Sequence, residues 1–334
     1  MAYIKAISYY LPPDILSNEL LAGQFPEWSV EKISSKTGIR ERHIAAADIC
    51  SSDLAYESVK MLFTEHNINP GEIDFILLCT QSPDYFLPTT ACLLQDRLNI
   101  PTTAGALDFN LGCSGFVYGL SLANSLIKAG EAENVLLITA ETYSKFINPQ
   151  DKSVRTIFGD AAAACLISKS ENNTIGPFIY GTDGSGGQNL IVKEGGMRTP
   201  TNLSSSEEKV DEYGNVHNAA NLYMNGGEIF IFTLKSVPSL ISNLLQKANL
   251  SMDDIGLFVL HQANKYMLEA LRKKIHIPED KLFIYMEDVG NTVSSTIPIA
   301  LYHALKEKRI FAGIKVMVVG FGVGYSWAGT IMQF

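Results

Sequence analysis

Ile73-Asp-Phe-Ile-Leu-Leu-Cys79 and Ile255-Gly-Leu-Phe-Val-Leu-His261 are two versions of one pattern. Each is a short run apolar enough to be a strand covered on both faces. Each follows an amphipathic helical stretch and a turn: residues 54–67 with Asn69-Pro70-Gly71, and residues 227–248 with 251–254. The match continues downstream. Gly112-Cys113-Ser114 opens a helical segment reaching about residue 129, then come Gly130 and a strand over 135–139. Gly290-Asn291-Thr292 opens its counterpart, reaching about residue 308, then come Gly313 and a strand over 316–320. The lag is 182 residues at the strand end (79 to 261) and 178 at the helix start (113 to 291), a drift that loop lengths absorb.

Helix–strand alternation predicts parallel strands joined by right-handed crossovers. The chain therefore reads as two similar α/β halves, 1–172 and 173–334, related by a pseudo-twofold axis. Residues 176–227, rich in Gly, Asn and Ser, read as a hairpin or loop insertion near the site. Ligands of open α/β sheets bind at strand carboxyl ends and helix N-termini. Cys113, His261 and Asn291 all fall at such ends, and the duplication brings them face to face.

A chain of 334 residues, 46% hydrophobic and 18% charged, can bury a large core. A net charge of −9 argues against non-specific nucleic-acid binding, which needs a positive field. The start, Met1-Ala-Tyr-Ile-Lys-Ala-Ile, lacks an apolar core followed by a small-residue cleavage site, so it does not read as a signal peptide. The longest apolar runs, such as 161–167, are too short to span a bilayer. Five cysteines without metal-type spacing fit reduced thiols in the cytoplasm. No metal cluster is expected.

Cys113 sits where an apolar strand-like run meets a Gly-Cys-Ser-Gly turn at a helix start. The macrodipole there favours a thiolate and predicts a lowered thiol pKa. A buried structural thiol is the competing reading, and local context alone leaves the two balanced. Cys79 reads as cavity lining, and Cys50, Cys92 and Cys165 as core. His261, ending a buried strand, can exchange or donate a proton near neutral pH, or serve as a satisfied core histidine. The other five histidines read as surface residues. Asn291 is a plausible helix cap, raised above that by its register with Cys113. Gly320-Phe-Gly-Val-Gly324 precedes a final strand rather than a helix, so it suits an oxyanion-binding turn better than a phosphate loop.

With these residues assembled, the chain resembles the β-ketoacyl-acyl carrier protein synthase III family, within the thiolase-like fold. The motifs that carry the resemblance are Thr37-Gly-Ile-Arg-Glu-Arg-His-Ile44, Cys113-Ser-Gly-Phe116, Phe158-Gly-Asp160, His261-Gln-Ala-Asn264, Gly290-Asn-Thr292 and Gly320-Phe-Gly322. The resemblance implies a layered αβαβα sandwich and a homodimer. It also implies a catalytic Cys113–His261–Asn291 triad, an oxyanion hole from backbone N–H groups of Cys113 and the turn Gly322-Val323-Gly324, and no bound cofactor. Acyl-CoA and malonyl-acyl carrier protein are the implied substrates: Cys113 takes the acyl group, then His261 and Asn291 hold the malonyl thioester carbonyl during decarboxylation and condensation. Trp28, Lys36 and Lys152 match the positions that clamp CoA, with Lys where the family usually has Arg, which changes the stacking surface. Leu87 stands at the position that gates the acyl pocket. Ala263, Asn264 and Phe321 fall at substrate-lining positions, and Lys265-Tyr266 replaces the family's carrier-docking Arg.

Two other readings stand beside this one. The acyl group could pass from Cys113 to an oxygen or nitrogen nucleophile, or the chain could be a non-catalytic dimer partner. An HMG-CoA-synthase-like activity needs a glutamate base near Cys113, and residues 81–86 hold none.

Overall fold

The computed structural model describes residues 2–171 and 175–334, so the boundary placed at 172/173 lies outside the described residues. Among these, two sheets reproduce the duplicated pattern. The first runs, edge to edge, Ala2–Tyr10, Ala161–Lys169, Asn134–Glu141, Phe75–Cys79, Gly105–Phe109. The second runs Ile175–Thr182, Ser326–Gln333, Lys315–Gly322, Leu257–Leu260. Each strand of the second matches one of the first in order. An isolated bridge between Phe258 and Leu282 stands where the fifth strand would lie.

Parallel pairing is confined to one end of each sheet. Phe75–Cys79 is parallel to both neighbours, and Leu257–Leu260 is parallel to Lys315–Gly322. The strands after each pair run antiparallel. Only three residues separate Gly322 from Ser326, too few for a crossover helix.

Five layers follow from which faces are apolar. Gly115–Ala129 and Thr296–Lys306 lie between the sheets, and Phe116, Leu120, Ile297 and Ala300 form one core cluster with strand residues of both. Both helices are apolar nearly all round, as a central position requires. Ser51–His66 and Thr90–Arg97 cover the outer face of the first sheet. Gly226–Ala248 and Lys265–Ile275 cover that of the second.

Several expectations are corrected. The insertion assigned to 176–227 begins as a core strand, Ile175–Thr182, because Gly176 and Pro177 disguise a run that pairs with Ser326–Gln333. The remainder does form two small hairpins, and Leu190 and Leu222 from one of them reach the Cys113 cluster. The 23-residue helix Gly226–Ala248 is long and apolar enough to cross a membrane, against the expectation that no stretch was. Its buried residues, among them Val237, Leu240 and Leu244, belong to the core of the second half. Cys92 is exposed and Cys50 half-exposed rather than core. His303 is not a surface residue: its ring stacks on Tyr285 at 3.6 Å and bonds the Tyr9 hydroxyl at 2.9 Å.

Candidate active site

Cys113 lies in the turn between the strand Gly105–Phe109 and the helix Gly115–Ala129, 5% exposed. Missing side chains let the two halves close on it. A Cβ at Gly322 would come within 2.8 Å of the Cys113 Cβ and 2.9 Å of its sulfur, and one at Gly320 within 2.7 Å of the Ser114 Cα. One at Gly112 would lie 2.6 Å from Gln81 Oε1. The Ser114 and Ser326 hydroxyls bond across the junction at 2.7 Å. Backbone N–H groups of Cys113 and Val323 point at the sulfur and favour its anion. Burial, and then Glu141, outweigh them and push the thiol up to about 12. The lowered pKa expected from the helix start is therefore reversed, and the resting thiol is protonated.

His261 continues the strand Leu257–Leu260, its N–H donating to Val319 O at 2.8 Å. The ring meets Phe321 edge-on and its Nδ1 lies 2.8 Å from Thr296 Oγ1. Burial drives its pKa down to about 3, so it is neutral at pH 7. Thr296 Oγ1 also lies 3.0 Å from Val293 O, and its single proton can serve only one of the two acceptors. Asn291 is pinned to the first half: it donates its N–H to Ile157 O at 2.9 Å and accepts from Gly159 N at 3.0 Å. Val293 N donates to Asn291 Oδ1 at 2.9 Å, so the side-chain NH₂ faces away from that contact. It caps no long helix; a short turn, Val293–Ser295, intervenes.

Three neighbours were given no role in the sequence reading. Glu141, fully buried at the end of Asn134–Glu141, accepts from Gln81 N and from the Ser82 and Ser294 hydroxyls. It acts electrostatically on Cys113, although 81–86 holds no glutamate. Burial raises its own pKa to about 8. Tyr143, in the apolar cluster around Cys113, donates to Gln81 Oε1 at 3.2 Å. Arg42, the largest fully buried side chain, bonds Thr156 O and Asn18 Oδ1 and packs under Gly290, tying the 37–44 motif to the Asn291 loop. Glu141 and Tyr143 carry no sequence signal beyond an ordinary strand or turn position, whereas Arg42 falls within the 37–44 motif.

The positions matched to the CoA clamp lie together around Trp28, apart from the other matched positions. Lys36 and Lys32 both lie over the Trp28 ring, at 4.9 and 5.1 Å, a cation–π cluster at the surface. Lys152 is nearly buried and pairs with Glu27 at 2.8 Å. Asn264 uses its side chain to cap the helix Lys265–Ile275, accepting from Met267 N. Ala263 and Phe321 are buried beside His261. Leu87 is 86% exposed, in an apolar loop with Tyr85 and Phe86, outside the cluster around Cys113.

Residues 107–184 match the family described as 3-oxoacyl-[acyl-carrier-protein (ACP)] synthase III, and residues 245–334 match its C-terminal part. A β-ketoacyl-[acyl-carrier-protein] synthase III of Caldanaerobacter subterraneus subsp. tengcongensis is 36% identical over all of this chain and 98% of its own. The chain belongs to the synthase III family. It is thus a condensing enzyme of the transferase class on the thiolase-like fold. A crystal structure of a 3-oxoacyl-(acyl-carrier-protein) synthase III superposes with a TM-score of 0.98, at 52% identity, covering 100% of this chain and 99% of the other. The synthase III of Thermus thermophilus gives 0.87 at 32% identity, covering 99% and 98%.

Proposed function

We propose that this synthase III-family enzyme joins an acyl-CoA primer to malonyl-acyl carrier protein by decarboxylating Claisen condensation, with no cofactor. In the first half-reaction the Cys113 sulfur attacks the acyl-CoA carbonyl, the bond to the CoA sulfur breaks, and the thiol proton ends on CoA. The N–H groups of Cys113 and of the turn Gly322-Val323-Gly324 hold the oxyanion. In the second, malonyl thioester loses CO₂ and its C2 attacks the acyl carbon; the C–S bond to Cys113 breaks and the thiol regains a proton. His261 and Asn291 donate to the malonyl carbonyl as the enolate forms. The observation that carries this reading is how each donor is freed. Val293 N occupies Asn291 Oδ1, and Thr296 at Nδ1 leaves Nε2 of a neutral His261 for substrate. Thr296 Oγ1 donates to Val293 O and also lies 2.8 Å from Nδ1; Nε2 carries the hydrogen in the tautomer in which that hydroxyl turns its proton to Nδ1.

The Trp28, Lys32 and Lys36 cluster is the electropositive rim that receives CoA, while Lys152 is held by Glu27. The exposed edge strand Gly105–Phe109 pairs with a second copy. Asp108 accepts from Thr90 N and Ala91 N, which sets the apolar loop of Tyr85, Phe86 and Leu87 beside that edge. Leu87 thereby reaches the acyl site of the other protomer. All five thiols are free, as suits the cytoplasm. Mixing enzyme, acetyl-CoA and malonyl-acyl carrier protein should release CO₂ and form 3-oxoacyl-acyl carrier protein one for one. Acyl transfer without CO₂ release would assign the chain to an oxygen or nitrogen acceptor instead.

A further inference from the structure

We propose that a cavity between the N-terminal hairpin, Asp14–Ser17 paired with Glu41–Ile44, and residues 144–158 binds a monocarboxylate with a short hydrocarbon tail, its carboxylate held by Arg155. The cavity is about 290 Å³ and its walls are mostly apolar, with Ile15, Leu16, Ile44, Ile147 and Phe158 among them. Cys113 does not line it. Ile147 and Phe158 also belong to the buried cluster around Cys113, so the cavity and the thiol share a wall and not a space. The inference therefore stands apart from the condensing reading.

Arg155 ends the short helix Lys152–Arg155 and is half-buried at the cavity. Among the described residues its guanidinium has no hydrogen bond or ion pair, and its Nε is buried without a partner. Burial lowers its pKa, and no neighbouring carboxylate counters that. The other cations withdrawn from water are answered. Arg42 bonds Thr156 O and Asn18 Oδ1, Lys152 pairs with Glu27, and Arg272 pairs with Glu269. A desolvated charge needs such a partner, and a guanidinium fork fits a carboxylate with two parallel bonds. The remaining polar groups narrow the class of anion. Ser144 lines the cavity but gives its hydroxyl to Asp160 Oδ2 at 2.5 Å, so Arg155 is the charged donor left for a ligand. Asp14 also lines the cavity without pairing with Arg155, and its charge disfavours a dianion such as phosphate. The volume sits at the small end of ligand pockets, roughly 300–1,000 Å³, which limits the tail to a few carbons.

Calorimetric titration of the intact enzyme with hexanoate should show saturable binding with Kd on the order of 1 mM. Hexan-1-ol, the same tail without charge, and inorganic phosphate, charge without a tail, should each bind at least about tenfold more weakly. Arg155→Gln should weaken hexanoate by at least about tenfold, the worth of one hydrogen bond to a charged group. Ile15→Trp, which fills the cavity and leaves Arg155 in place, should weaken it as much, while Asp14→Asn should tighten it about threefold. Full binding in either Arg155→Gln or Ile15→Trp places hexanoate elsewhere and overturns the inference. So does phosphate binding as tightly as hexanoate, or no saturable binding to the wild type. Hexanoate binding that appears only in Asp14→Asn also overturns it, since Asp14 would then be the anion that Arg155 serves.

Discussion

The Cys113 thiol is held protonated chiefly by burial, and His261 is held neutral by burial alone. These two states divide the labour. Acylation depends on Cys113 and its two N–H donors, and decarboxylation on the two side-chain donors opposite. His261→Ala and Asn291→Ala should therefore still form the acyl-enzyme while condensation drops by about 10²–10³, as loss of one such donor typically does. Condensation at the wild-type rate in either variant would remove the assigned role. Thr296→Val, which deletes the hydroxyl beside Nδ1, should lower condensation by about tenfold, the worth of one net hydrogen bond, and Thr296→Ser should restore it. Equal losses in acylation and condensation would make Thr296 a packing residue only. Cys113, His261 and Asn291 were legible because a repeat places them in register. Thr296 and Tyr143 were not, since one is an ordinary helix-start threonine and the other opens a short turn after a strand until folding brings them to the site.

Strand ends do most of the positioning. Asn134–Glu141 ends in a carboxyl that receives the Gln81 loop and Ser294 of the second half, so one side chain links both halves beneath the sulfur. Its folded pKa of about 8 lies far above the unfolded carboxyl near 4.3. Glu141 is then neutral in the fold, and its stabilisation is complete below about pH 4.3 and lost as pH rises toward 8. Melting of Glu141→Gln across pH 5 to 8 should show the variant gaining on the wild type by an amount on the order of 1–4 kcal/mol. Parallel curves would show that Glu141 is ionised throughout. The strand itself was readable from its apolar run, but nothing along the chain marks its last residue as a junction. Ile175–Thr182 was misread for a related reason: Gly176 and Pro177 signal a turn locally, and only pairing with Ser326–Gln333 makes the segment a strand.

At the scale of the molecule, the duplicated fold was the most legible feature, because two apolar strands and two helix starts repeat at nearly constant lag. The proposed dimer is tested at an exposed edge. Leu107, Tyr85, Phe86 and Leu87 are all exposed, Leu107 on a strand whose outer edge is open, the kind of edge that proteins otherwise cover. Light scattering should give a dimer for the wild type and a monomer for Leu107→Lys combined with Phe86→Asp. A wild-type monomer at micromolar concentration would detach Leu87 from any acyl site. The central claim, that Cys113 carries the acyl group, is tested most directly by intact-mass measurement after incubation with acetyl-CoA. The wild type should gain the mass of one acetyl group and Cys113→Ala none; an adduct that survives in Cys113→Ala, or no adduct in the wild type, would contradict it.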